Sequence, residues 1–297
     1  MAKPDPQAVR LFLSDGKRRI EDALDQVVPL LGAAPPALHE AMRYTLLLPG
    51  KRLRGILTLA ASEMLKGEAE DAMPSACAVE MVHAASLILG DLPSMDGATL
   101  RRGKPVLHRV AGEAHAILAA FALLNSAFAL ILESGSPGGK ARRESVLRLT
   151  RAVGGEGLVG GQFAEMESAG TRVDLDVLER IHTRRAGALF VAAAELGGLA
   201  AGGRRRELEA LGRYAAPLGL AFQVSDDLLD YSGNPETTGK DAGRERDRTT
   251  FVNLCGIDGA RRRVDDLVER SLAALSPFGR RAGMLRALAE HVRGRDR

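Results

Sequence analysis

The chain of 297 residues carries 41 Lys and Arg against 38 Asp and Glu, a formal net charge of +3. That is enough chain to bury a sizeable core in one large domain or two ordinary ones, while the near balance of charge and an aromatic content of 4% speak against a nucleic-acid binder, which needs a basic groove and stacking rings. Ala, Leu, Arg and Glu are abundant and no alternating β-branched run appears, so the expected class is all-α, in a single domain spanning residues 1–297.

The first residues, Met1-Ala2-Lys3-Pro4-Asp5-Pro6, lack the basic, apolar, small-residue order of a signal peptide, and export is not expected. Proline and glycine then cut the chain into helical stretches of roughly 15 to 25 residues. Breaks are expected at 31–36, 49–50, 66–68, 97–105, 135–139, 169–173, 201–203 and 232–243. Gly50-Lys51-Arg52-Leu53-Arg54 follows Pro49 and opens a helix. Lys51 and Arg54 then face one way and meet the positive end of the helix dipole, an arrangement that favours a phosphate; an ordinary basic helix start is the plainer alternative.

The next stretch, from Glu80 to Asp96, ends an apolar helix with Asp91 and Asp96 and is followed by Arg101-Arg102-Gly103. A guanidinium fork there can hold diphosphate oxygens bidentately. His83 lies on the helical stripe of Asp91, where a lone histidine is more often a core residue than a ligand. Residues 116–132 are apolar except for Asn125 and Ser126, close to the ~20 residues that span a bilayer. Their alanine richness favours a fully buried helix, with no integral membrane segment. Gly154 to Gln162 is rich in glycine but follows no strand, so a dinucleotide site is not read there; small residues for close helix packing are. Arg204-Arg205-Arg206 and Arg261-Arg262-Arg263 fall among acidic residues at helical spacing and read as solvated faces. Cys77 and Cys255 sit far apart in apolar contexts, as reduced thiols of a cytoplasmic protein would.

Phe222-Gln223-Val224-Ser225-Asp226-Asp227-Leu228-Leu229-Asp230 sets three aspartates in a region without Lys or Arg from residue 215 to 239. On a helix Asp226 and Asp230 share one face, where like charges repel. A hard cation such as Mg2+, which takes one or two carboxylates and completes its shell with water and phosphate, is the simplest counterion. The last five residues, Arg293 to Arg297, are expected to fray.

Taken in order, Gly50 to Arg54, His83 to Asp96 with Arg101 to Pro105, Gly160-Gly161-Gln162, Phe222 to Asp230, and Gly239-Lys240 with Asp241 and Gly243 resemble the trans-isoprenyl diphosphate synthases of the bacterial geranylgeranyl or farnesyl type. The resemblance covers nearly the whole chain. It implies a helical bundle around a deep central cavity, with two aspartate sites facing each other at its mouth and three Mg2+ ions bridging them to an allylic diphosphate. It implies metal ligation by Asp91, Asp96, Asp226 and Asp230, with Asp227 alongside in the catalytic site. Lys51, Arg54, His83 and Arg102 would hold isopentenyl diphosphate, Arg101 and Lys240 the allylic substrate, and Gln223 would lie near the reacting carbons. A homodimer is a further expectation.

The chain departs from that pattern in places. The first of two adjacent aspartates in the upstream motif is Gly90, and Asp91 is turned about 100° from it around an ideal helix. A lysine usual before a Thr-Gly pair is Arg185, which keeps a charge able to bind diphosphate; another usual lysine is Arg248. The usual Gly-Asp pair of the central apolar helix reads Ala120-Phe121, expected to reshape the cavity wall. One helical turn before the upstream motif stand Ala85 and Ser86, small enough to leave room for a twenty-carbon product, geranylgeranyl diphosphate. The reading is therefore an Mg2+-dependent prenyltransferase slowed by Gly90. Its alternative is an impaired homologue that binds diphosphates or serves as a noncatalytic subunit.

Overall fold

A computed structural model describes residues 6–27, 35–171, 173–232 and 249–295. The all-α expectation holds: the described residues form helices apart from one two-stranded hairpin. In chain order the helices are α1 (Pro6–Val27), α2 (Pro36–Leu46), α3 (Leu53–Met64), α4 (Ala69–Gly90), α5 (Leu107–Ala111), α6 (Glu113–Glu133), α7 (Gly139–Val153), α8 (Leu158–Ser168), α9 (Leu175–His182), α10 (Ala188–Ala200), α11 (Arg205–Ser232), α12 (Phe251–Ala274) and α13 (Gly283–Arg293). The expected breaks fall between these helices, except for 31–34, 172 and 233–243, which lie outside the described residues.

Two helices make the centre. α4 is apolar around its whole circumference, the signature of a helix buried on all sides, and it packs among α3, α6 and α10. α10 packs against α3, α4, α7 and α11. Its approach to α3 is backbone-close, because a Cβ at Gly197 would stand 2.0 Å from the Thr58 carbonyl oxygen. α11 and α12 lie along one another and complete the bundle. The ends of α4 and α11 carry the two acidic motifs, and the start of α3 carries the basic one.

Three local features differ from expectation. α6 is not fully buried: it packs on α4 and buries Ala116, Ala119, Ala120, Leu123 and Ala127 but leaves Leu118 and Phe121 58% and 62% exposed. Phe121 therefore faces outward instead of forming a cavity wall. By length and composition α4 and α6 would each pass as a membrane span, but 67% of the apolar window of α4 is buried inside the bundle. Residues 154–157 form a break between α7 and α8 that the glycine run concealed. Third, a five-residue π turn, Thr183–Gly187, joins α9 to α10. Such turns recur at functional sites, and this one carries Arg185. Gly161 on α8 permits the approach, since a Cβ there would lie 2.4 Å from the Arg185 backbone nitrogen.

Candidate active site

The basic motif is held from behind. Arg52, only 4% exposed, takes the left-handed conformation (φ 49°, ψ 32°) at the cap of α3. Its guanidinium donates to the Leu46 and Leu48 carbonyls at 2.8 and 2.9 Å and to Glu21 Oε1 at 3.3 Å, with Glu80 Oε2 at 3.7 Å. Glu80, also buried, accepts the Gly55 N–H at 3.0 Å and so satisfies a free donor in the first turn of α3. The carbonyl of Leu48 accepts a second guanidinium, Arg102 Nη1 at 3.1 Å. Sequence reading gave Arg52 and Glu80 no role. The available signal was a glutamate inside an otherwise apolar helix, which is rare unless paired.

On that frame Lys51, Arg54, His83 and Arg102 converge. The Arg54 guanidinium lies 4.7 Å from the centre of the Phe190 ring and 5.8 Å from that of Phe222, a cation–π seat. Burial lowers its pKa, with Glu80 and Asp226 opposing the shift. Burial and then the field of Arg54, Arg102, Arg101 and Arg52 push the His83 imidazole well below the usual histidine range, so it is neutral at pH 7. Burial and then Arg295 lower Lys51. Positive charge concentrated around a neutral imidazole is a field that an anion relieves.

Arg101 and Arg102 reach the site from a small hairpin, Leu100–Arg101 paired with Lys104–Pro105. Arg102 and Gly103 turn it with φ of 54° and 74°, the two positive values of a type I′ turn. Arg101 grips Asp91 with two donors, Nε at 3.3 Å and Nη2 closer still. Burial opposes the Arg101 charge, but the hydrogen bond to Asp91 and the carboxylates of Asp91, Asp96 and Asp230 outweigh it and raise its pKa. Arg101 thus responds to carboxylates of both acidic motifs. After Gly90 the chain folds back, Asp96 N–H donating to the Gly90 carbonyl at 2.9 Å. Asp96 then lies 3.7 Å from Arg185 Nη2, while Arg185 Nε donates to Gln162 Oε1 at 2.7 Å. An open cleft of about 560 Å³ is lined by Asp96, His108, Arg109 and Glu113.

Across the mouth, Asp226 Oδ1 accepts Arg295 Nη2 at 2.7 Å. The expectation that residues 293–297 fray fails at Arg295, whose side chain is 7% exposed and stacks 4.0 Å over Phe222. Asp227 is employed differently from its neighbours. One oxygen accepts Gln223 Nε2 and the other the Phe251 N–H, each at 3.0 Å, tying α11 to the first residue of α12. Burial pushes its carboxyl up to about 6. Gln223 is thereby turned toward Asp227. Lys240, with Asp241, Gly243 and Arg248, lies outside the described residues.

The donor set suits a hard cation in part. Asp226 and Asp230 stand one turn apart on α11, the oxygen-only arrangement Mg2+ takes when water and phosphate complete its shell. The upstream motif brings Asp96 nearby, but Asp91 is committed to Arg101 and position 90 offers no side chain. No group of three or more His, Cys, Asp or Glu side chains able to hold a metal forms among the described residues.

Residues 35–271 match the polyprenyl synthetase family. The chain belongs to that family. It is 40% identical over 297 residues to a chloroplastic geranylgeranyl pyrophosphate synthase of Capsicum annuum, covering 98% of this chain and 80% of that protein. Its fold matches the apo crystal structure of an FPP/GFPP synthase from Zymomonas mobilis with a TM-score of 0.85 and 32% identity, over 97% of this chain and 100% of that one. It also matches a Helicobacter pylori geranyltransferase complexed with magnesium and isoprenyl diphosphate, with a TM-score of 0.81 and 26% identity over 98% of each chain. This polyprenyl synthetase is a trans-prenyltransferase of the isoprenyl diphosphate synthase type.

Proposed function

We propose that the protein condenses isopentenyl diphosphate with an allylic diphosphate and releases geranylgeranyl diphosphate. The observation that carries this is the pocket of Lys51, Arg54, His83 and Arg102, built on the buried Arg52–Glu80 pair and set beside the α11 carboxylates. A diphosphate seated there meets guanidinium donors that are already in place, so little reorganisation is needed on binding.

When bound, Mg2+, three ions by family resemblance, supplies the Lewis acidity that neutralises charge developing on the departing diphosphate. Asp226, Asp230 and Asp96 are the residues to hold it, with Asp91 able to join only by releasing Arg101. Arg101 and Arg185, with Lys240, hold the oxygens of the allylic diphosphate. Lys51, Arg54 and Arg102 orient isopentenyl diphosphate so that its double bond faces the allylic carbon. Neutral His83 donates a hydrogen bond without adding a charge to the pocket.

Product length follows from Ala85 and Ser86 on α4. Ala85 is buried, and the Ser86 hydroxyl donates back to the His83 carbonyl at 2.7 Å, leaving a small, capped wall. A growing chain passes such a wall where an aromatic ring would stop it. The exposed apolar stripe of α6, with Leu118 and Phe121, supports a homodimer. The free thiols of Cys77 and Cys255 fit a reducing, cytoplasmic setting.

A second reading is supported by position 90: with no carboxylate there and Asp91 bound to Arg101, the protein is a diphosphate-binding homologue or a noncatalytic subunit. Mass spectrometry of products decides between them. Pure protein is incubated with Mg2+, isopentenyl diphosphate and a five-, ten- or fifteen-carbon allylic diphosphate in turn. A twenty-carbon diphosphate is expected; binding without elongation would establish the second reading.

A further inference from the structure

We propose that Arg295 is a displaceable cation that occupies the downstream acidic site before a divalent ion does, so that ion entry requires withdrawal of the C-terminal turn. The proposal rests on the reading of Asp226 and Asp230 as ligands of such an ion. Arg295 Nη2 donates to Asp226 Oδ1 at 2.7 Å, and the guanidinium carbon lies over Phe222, 4.0 Å from the ring centre. Its side chain is 93% buried by the exposure of 7%, yet Nε and Nη1 have no hydrogen-bond partner. A guanidinium that deep, using one donor of its fork and leaving two nitrogens without partners, is not held by its own hydrogen bonding. Asp226 and the Phe222 face hold it there, and the attraction is to a carboxylate that Lys51 and Arg54 also feel but to which Arg295 donates directly.

The surroundings make the arrangement conditional. Lys51, Arg54 and His291 all feel the Arg295 charge, and in each it disfavours their own protonated form. A divalent ion arriving at Asp226 removes the attraction and adds repulsion to a neighbourhood already positive. The backbone offers little resistance. Arg295 lies past the end of α13, held by a bond from its N–H to the Val292 carbonyl at 3.4 Å, the longest of those tying the turn. Withdrawal therefore breaks one ion pair, the cation–π contact with Phe222 and one weak backbone bond, and leaves α13 intact.

The test is direct binding of Mn2+, followed by its electron paramagnetic resonance signal, to the full-length protein without substrate and then with inorganic pyrophosphate. Arg295→Ala should tighten Mn2+ binding in the absence of pyrophosphate by about threefold to tenfold, with Arg295→Lys falling between. The gain should shrink once pyrophosphate is present. Unchanged or weaker Mn2+ binding in Arg295→Ala overturns the proposal while leaving the metal site standing. Absence of Mn2+ binding in wild type and variants, even with pyrophosphate, overturns both the proposal and the reading beneath it. A deletion of residues 295–297 serves as the second variant and should match Arg295→Ala.

Discussion

The basic pocket and the acidic mouth lie side by side but are built differently. Lys51, Arg54, His83 and Arg102 rest on Arg52 and Glu80, whose side chains are each 3% exposed and which are joined to each other and to the backbone of α2 and α3. At the mouth the carboxylates lean on cations brought from elsewhere: Asp91 on Arg101, Asp96 on Arg185, Asp226 on Arg295. The pocket is thus organised by the fold itself, whereas the mouth is held by ion pairs that the proposed metal and diphosphate would have to exchange. Preorganised dipoles and charges need no rearrangement at the moment of reaction. A site for ions that come and go with substrate gains from partners it can trade.

The largest effect should come from removing the trade itself. Asp226→Ala leaves Arg295 and any bound ion without their shared carboxylate, and kcat should fall by about a thousandfold or more, given that Lewis-acid stabilisation is worth several kcal/mol. Steady-state kinetics in excess Mg2+ checks this, and EDTA on wild type should give the same loss. A retained kcat would show that the mouth is not where catalysis happens. On the other side of the comparison, Glu80→Ala leaves Arg52 with Glu21 as its remaining carboxylate and strands the buried Gly55 N–H, which typically costs ~1–3 kcal/mol. Chemical denaturation should show that loss. In whatever folded protein remains, KM for isopentenyl diphosphate should rise while KM for the allylic substrate holds. A rise in both equally would mean that the pocket and mouth are not separable.

Gly90→Asp sharpens the comparison more gently. A Cβ at position 90 would meet only Asp96 Oδ2, at 3.7 Å, so the first carbon of a side chain is accepted there without displacing backbone. The new carboxylate would face the mouth beside Asp96 as a ligand not already committed to an arginine. An increase in kcat of about tenfold is expected, a change of ~1.4 kcal/mol in the barrier. No increase would show that Asp91 and Asp96 already suffice.

Much of this was legible in the sequence because it is local. Helix ends follow glycine and proline, and the spacing of Asp226 and Asp230 places them on one face whatever surrounds them. What could not be read were the long-range partners. Nothing adjacent to Arg295 marks it as 2.7 Å from Asp226, 69 residues away in sequence. The same holds for Glu80 and the Gly55 N–H, 25 residues apart. Asp227 shows how spacing can mislead. It sits between two half-buried carboxylates in the motif, yet at 9% exposure it is turned into the bundle to hold the start of α12. The π turn at Thr183–Gly187 also left no mark, since its residues read as an ordinary continuation of α9.

The smallest prediction concerns whether the basic pocket strains its own histidine. Burial and four arginines depress the His83 pKa well below 6.5. An unfolded chain takes up a proton at this histidine as the pH falls through about 6.5, and the folded chain does not, so the unfolded state binds more protons and stability falls as the pH drops. The loss is at most ~1.4 kcal/mol per pH unit and continues down toward the folded pKa. His83→Gln keeps a hydrogen-bonding side chain that does not titrate. Thermal unfolding followed from pH 7.5 to 5 should show a flatter decline in that variant than in wild type, with the curves converging above pH 7. Bound inorganic pyrophosphate should lessen the wild-type decline as well, because an anion among the same arginines offsets the field that keeps the imidazole neutral. Equal slopes in wild type and variant would mean that the imidazole takes its proton inside the folded pocket, and that the pocket is less positive than its arginines imply.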